Sequence, residues 1–367
     1  MNHRTRAFRL VCEYLSVVPR GDIKQETIAA ATCPPSFWVE FIKTSTDFLM
    51  GPTLALRFEK LGLSGILPSL VERHCHAVLR LNRSRNAQLH AEAIELASEL
   101  NRIDVVPLFL KGSAGLLSGL YEDPGARIMS DLDVLVPVYR AHDCERLLSE
   151  LGYSEASVMR RPRDKSIGTF LRERSTAPID LHHEVLAYPN QGLLSARETI
   201  EDSVVHNLDG VSVAVPSTTH QVVLNIGHAH LNDHGYRYGS LPLRALWDFA
   251  LHLQNQSDID WQQVDDRFAA IGKWSAADYH CLAVSETMNV EARPGYVPSL
   301  TARLLVMRAR LLTSHPPLQR IWFRFVRVAM LLRRELSDEE LRARLLRNVR
   351  DPEWWRRHLD IFWRGKA

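Results

Sequence analysis

Asp131 and Asp133 flank Leu132 at the start of an apolar run that continues Val134-Leu135-Val136, and that spacing decides what the two carboxylates can do. Alternate residues of an extended strand share a face. The carboxylates therefore emerge together, about 7 Å apart at Cα, while Leu132 and Val134 enter a core. Oxygen donors so arranged suit Mg²⁺, which keeps several waters and completes its shell with substrate phosphates. Two such ions, roughly 3.5 to 4 Å apart, clamp the attacking and leaving oxygens of an in-line displacement. A third carboxylate is expected from Asp180 in Ala177-Pro178-Ile179-Asp180-Leu181-His182-His183-Glu184. Period-two alternation puts Asp180, His182 and Glu184 on one face and Ile179, Leu181 and His183 on the other.

Lys111-Gly112-Ser113 follows the apolar run Val105 to Leu110. Gly112 lets backbone approach a phosphate closely, and Ser113 stands where it would cap a helix expected over Ala114 to Tyr121. Lys111 and Arg127 add positive charge on either side. Arg127 has a planar fork suited either to a phosphate or to bracing an aspartate. Strand, Gly-Ser, helix, then a strand bearing Asp-x-Asp is an order that equips a chain to handle a nucleoside triphosphate.

The elements that must position these groups follow from periodicity. Residues 1–100 carry apolar residues at three and four spacing over Ala7 to Val17, Trp38 to Thr46, Leu54 to Leu61 and Val71 to Leu100, which predicts a helical N-terminal region. Residues 101–216 alternate strands and helices. The turn Asp123-Pro124-Gly125, the helix Ala141 to Leu151 closed by Gly152, and a Val204 to Val215 hairpin turning at Asp209-Gly210 belong here, with a mobile polar loop around Arg160 to Lys165. Helices are expected again over Thr218 to Leu231, Leu241 to Gln254, Trp261 to Ile271 and Ala276 to Met288, within a C-terminal domain of residues 217–367. The fold class is α+β: a small mixed-sheet core between two helical regions.

Composition narrows the partners. The formal charge of +2 is nearly balanced, which argues against a nucleic acid. Residues 300–367 hold 16 Lys and Arg against 7 Asp and Glu, so the excess sits in the tail. There Arg320, Arg324, Arg327 and Arg334 share a helical face opposite Ile321, Phe325, Val328 and Leu332, the pattern of a helix packing its apolar side inward. A capping box is expected at Ser337-Asp338-Glu339-Glu340. Five scattered cysteines, the missing signal-peptide core and the lack of a bilayer-length apolar run predict a cytoplasmic protein without disulfides or transmembrane segments.

The stretch from Leu110-Lys111-Gly112-Ser113 through Tyr121, Asp123-Pro124-Gly125 and Arg127 to Asp131-Leu132-Asp133, with the later Asp180-Leu181-His182, resembles the polymerase-β-like nucleotidyltransferase superfamily. More narrowly, it resembles a bacterial uncharacterised nucleotidyltransferase family. Ile226-Gly227-His228 and Leu243 to Asp248 are similar to that family's His-rich helix and the segment after it, so the resemblance covers roughly residues 50 to 255. It implies a mixed sheet flanked by helices, two Mg²⁺ ions and a nucleoside triphosphate donor, ATP first among the candidates. The expected reaction is transfer of a nucleoside monophosphate to an acceptor hydroxyl of a sugar, peptide or other small molecule, with release of pyrophosphate. Asp131, Asp133 and Asp180 are its expected metal and catalytic residues, Asp180 also helping to deprotonate the acceptor. Lys111, Gly112, Ser113, Arg127 and His182 are expected on the nucleotide. His228 and His230 lie where an acceptor could bind, or one of them is a buried histidine braced by Asp248. Attack at the γ-phosphorus, making a kinase, and a non-catalytic nucleotide-binding module are the competing readings.

Overall fold

The computed structural model describes residues 2–156, 165–255, 258–337, 351 and 353. Five helices lead the chain: α1 (His3–Leu15), α2 (Ile23–Ala31), α3 (Pro35–Asp47), α4 (Gly51–Lys60) and α5 (Ser69–Asn101). The second was not foreseen, because only Thr27 and Ala30 of it are buried and its apolar spacing is weak. The side chain of Asp22 caps it, accepting from the amides of Lys24 and Gln25. With 33 residues, α5 is about 50 Å long. Its first turns, through Val71, Cys75 and Leu79, join one hydrophobic core, and its last turns, from Leu89 to Leu100, join another.

Next come β1 (Leu108–Phe109), α6 (Lys111–Leu117), β2 (Leu132–Leu135), α7 (Ala141–Glu150), β3 (Ser154–Glu155), β4 (Ser166–Leu171) and β5 (Ile179–His182). After α8 (Ala196–Glu201) the hairpin β6 (Ser203–Leu208) and β7 (Val211–Pro216) turns at Asp209 and Gly210. Their φ values of 52° and 88° are those of the expected type I′ turn. The seven strands form one mixed sheet in the order β3-β4-β5-β2-β1-β7-β6. Two differences from expectation concern this sheet. The first strand pairs only over Leu108–Phe109 instead of Val105 to Leu110. The pair β3 and β4 was missed, since a bulge between Ser166 and Gly168 breaks the alternation. Residues 160–164 of the expected mobile loop lie outside the described residues.

The helices α9 (Thr218–Gly227), α10 (Gly235–Tyr238), α11 (Leu243–Asn255), α12 (Trp261–Ala270), α13 (Trp274–Met288), α14 (Leu300–Ser314) and α15 (Pro316–Ser337) follow among the described residues. Phe249 of α11 and Tyr279 of α13 share the first core with Tyr14, Phe41 and Phe58 from the N-terminal helices. The amide of Val17 donates to the carbonyl of Met288 at 2.6 Å. The N-terminal helices are thus packed against α11 and α13.

Helix α15 departs from the expected packing. Ile321 and Phe325 are 64% and 63% exposed, whereas Val326 is buried. Trp322 donates from Nε1 to the carbonyl of Arg237 at 3.0 Å, and Phe323 stacks on Tyr238. The inward face is therefore rotated from the one inferred by spacing alone. Positions 338–340 of the expected capping box lie outside the described residues. Among the described residues no helix is long and apolar enough to cross a membrane, and the five cysteines are unpaired.

Candidate active site

The parallel register of β2 and β5 places Asp133 opposite Asp180 and Leu135 opposite His182. Neighbouring strands lie about 4.8 Å apart, so two aspartates at paired positions on one face must converge. His182, wholly buried, holds them: its Nε2 is 3.0 Å from Oδ1 of Asp133 and 3.2 Å from Oδ2 of Asp180. With its proton on Nε2 the ring donates to both. The unforeseen β4 supplies Ser166, whose Oγ donates to Oδ1 of Asp180 at 2.8 Å, and Thr169, which donates to the same oxygen at 3.3 Å.

Lys111 Nζ lies 2.5 Å from Oδ1 of Asp133. Burial pushes the Asp133 carboxyl up, but His182 and Lys111 outweigh it and hold the group well below the usual carboxylate range. Burial likewise pulls the Lys111 ammonium down, and Asp133 with its neighbours more than restores it. Asp180 also stays below its ordinary value: burial raises it, while His182 and Ser166 lower it further.

Lys111 adopts a left-handed φ of 54°, making the turn that was expected of Gly112-Ser113. The helix therefore starts at Lys111 rather than Ala114. Leu110 occupies the cap position without a side-chain hydrogen bond. Ser113 sits inside the first turn, 2% exposed, with its Oγ unpartnered among the described residues. A Cβ at Gly112 would stand 3.0 Å from the Met129 side chain, which would have to shift to admit it.

The loop leading to β2 is held by α5. The side-chain amides of Asn82 and Asn86 both donate to the carbonyl of Arg127, at 3.0 and 2.8 Å, and Asn82 also donates to that of Gly125 at 2.8 Å. Any Cβ at Gly125 would come within 2.3 Å of Arg83. Arg127, nearly buried, pairs through Nε with Asp248 at 2.8 Å, and Tyr121 Oη lies 3.3 Å from the same carboxylate. Asp248 thus braces an arginine, not a histidine. His230 instead faces His280 at 2.8 Å, and His228 faces Asp233 at 3.3 Å.

These groups border a cavity of about 540 Å³. Lys111, Gly112, Arg127, Asp131, Asp133 and Asp180 line it, whereas Ser113 and His182 lie behind its wall. Asp131, half-buried, accepts from Ser130 Oγ at 2.9 Å and stands apart from the closest acidic group. Among the described residues that group is Asp133, Asp180 and His182, whose candidate ligand atoms lie within 4.8 Å of one another. Two converging carboxylates held in their ionised form offer the oxygen donors that a hard divalent cation takes, and the Lys111 ammonium supplies positive charge at one of those oxygens. Sequence reasoning missed Ser166, Thr169, Lys165, Arg244 and the His228–Asp233 pair. Arg244 was visible within Leu243 to Asp248, but nothing in that stretch marked it as lining the cavity.

Acidic groups converging on two central strands of a mixed sheet, with cations around them, define the class as an α+β protein with a candidate metal site. The chain belongs to the uncharacterised nucleotidyltransferase family, whose model matches residues 34–289. That membership supports nucleotidyl transfer in general. No curated protein and no solved structure matches the chain.

Proposed function

We propose that the protein transfers a nucleoside monophosphate from a nucleoside triphosphate, ATP first among the candidates, to the hydroxyl of a small molecule or peptide. The observation that carries this is the register match of Asp133 with Asp180, clasped by His182 in a chain of this family. Asp131, Asp133 and Asp180 would hold two Mg²⁺ ions. When bound, the ions supply charge neutralisation for the triphosphate and the leaving pyrophosphate. Lys111 and the backbone at Gly112 bind phosphate oxygens from the cavity wall, and the strained φ of Lys111 belongs to that task. His182 orients the two aspartates and does not touch the nucleotide. Arg127, pinned by Asp248, fixes the wall that the triphosphate meets.

The test is product analysis with Mg·ATP and mixed acceptors. Pyrophosphate release, with the nucleoside monophosphate appearing as added mass on an acceptor, is expected, and Asp131→Ala or Asp133→Ala should abolish it. Release of ADP would identify a kinase instead. Undiminished pyrophosphate release in either variant would overturn the carboxylate roles.

A further inference from the structure

We infer that His228, oriented by Asp233, is the general base that removes the proton of the acceptor hydroxyl. This rests on the nucleotidyl-transfer reading and names a residue that reading left out.

Three observations converge on it. First, His228 begins a single π-helical turn, His228–Asn232, closed by the amide of Asp233 donating to the carbonyl of His228 at 2.9 Å. Such turns are rare and recur at functional sites because the extra residue redirects side chains. The chain then passes through His234 with a left-handed φ of 55° and folds back so closely that a Cβ at Gly235 would stand 2.5 Å from the carbonyl of Ala229. Local strain is therefore maintained around one side-chain arrangement.

Second, that arrangement is a histidine–carboxylate pair on the cavity. Nδ1 of His228 lies 3.3 Å from Oδ2 of Asp233, and both residues line the cavity that holds Asp133 and Asp180. With Nδ1–H committed to Asp233, Nε2 is the ring atom left to take a proton. The charged groups that act on the imidazole are Asp233 on its own turn, Lys111 from α6 and Lys165 ahead of β4. The same two lysines act on Asp233. Burial and the lysines keep the ring below its ordinary value despite Asp233, so it is neutral and able to accept at neutral pH.

Third, the carboxylates are engaged elsewhere. Asp180 receives Ser166, Thr169 and His182, and Asp133 receives Lys111 and His182. In the proposed reading their remaining oxygen lone pairs go to the metal, so the proton of the acceptor hydroxyl falls to another group.

The step balances as follows. The acceptor O–H proton passes to Nε2, its oxygen forms a bond to the α-phosphorus, and the bond from that phosphorus to the bridging oxygen breaks. Pyrophosphate leaves with that electron pair, and the imidazolium returns its proton to solvent. His228 is thus a catalytic residue and Asp233 a positioning one.

The experiment measures pyrophosphate release from Mg·ATP, with water and with glycerol as stand-in acceptors, from acid through neutral pH in wild type, His228→Gln and Asp233→Asn. Calorimetric affinity for α,β-methylene-ATP serves as the control for folding and nucleotide binding. In His228→Gln, kcat should fall about 100-fold and the acid limb of the profile should vanish, with analogue affinity within about twofold of wild type. Asp233→Asn should lower kcat about tenfold and move the acid limb to lower pH, because it removes the charge that favours the imidazolium. An unchanged kcat and limb in His228→Gln, a loss carried wholly by KM, or an unmoved limb in Asp233→Asn overturns the base while leaving the transfer reading intact. Wild type that releases no pyrophosphate with any acceptor sinks that reading, and the base falls with it.

Discussion

His182 lies between two carboxylates on central strands of the sheet, whereas His230 and His280 lie against each other among aromatic rings in the helical core. All three are wholly buried. Nε2 of His182 meets the carboxylates of Asp133 and Asp180, its Nδ1 has no partner among the described residues, and the cluster opens onto a cavity. Around the other pair the neighbours are Tyr279, Phe249 and one another, and Nδ1 of His230 and Nε2 of His280 have no partner among the described residues. Burial of one residue type thus serves two ends: charge is concentrated where compensation exists and kept out where it does not.

The contrast breaks most visibly at Asp180. Replacing it with Asn keeps its shape and removes its charge, so Asp180→Asn should lower the rate of Mg²⁺-dependent pyrophosphate release about 100- to 1,000-fold. Thermal unfolding should barely move, because Ser166 and Thr169 remain beside the new side chain. A stability loss accompanied by full activity would make the acidic cluster a structural feature like the core pair, and the contrast would vanish.

The core histidines yield a pH prediction of smaller size. Burial pushes His230 down to about 3 and His252 to about 4, and it holds His280 well below its usual value. In the unfolded chain each takes a proton near pH 6.5. Between that value and the folded one, the unfolded state binds more protons, so stability falls as pH drops below about 6.5. Each histidine contributes a loss on the order of 1 kcal/mol per pH unit in that window. Chemical unfolding at pH 7 and 5 should show this loss, and His280→Phe should shrink it by about 2 kcal/mol across the interval. An equal pH dependence in wild type and variant would show that the pair is not held neutral.

Within-strand alternation was legible, and it correctly put Asp180 and His182 on one face. What alternation cannot supply is which strand lies beside which. The parallel pairing of β2 with β5 joins residues 47 apart and is set by tertiary packing, so that Asp180, expected beside both aspartates, pairs with Asp133 and not Asp131 was visible only in three dimensions. Local turn chemistry was equally clear at Asp209-Gly210, where two left-handed residues were required. It was misjudged at Lys111, where a non-glycine residue takes the left-handed conformation and moves the helix start three residues upstream. The π turn at His228 escaped notice because one extra residue leaves no mark on a helical apolar pattern. The fold class and helical regions needed only periodicity, whereas the site needed register.

Asn82 and Asn86 occupied an intermediate position. Four residues apart on the buried face of α5, between Leu79 and Leu89, they interrupt an apolar stripe and so demand partners. Those partners, some forty residues later, are the carbonyls of the loop that carries Arg127 toward the acidic cluster. The two amides share one acceptor, the carbonyl of Arg127, so either can hold that group when the other is gone. Asn86→Ala should cost about 1 to 2 kcal/mol in chemical unfolding, and Asn82→Ala a similar amount. The double variant should lose more than the sum, because only then is the Arg127 carbonyl without either amide. Its loss of activity should exceed that of either single variant, as the cavity wall loosens. Strict additivity would mean that the asparagines act as separate helix-surface contacts, and that the N-terminal helices support the core without positioning the site.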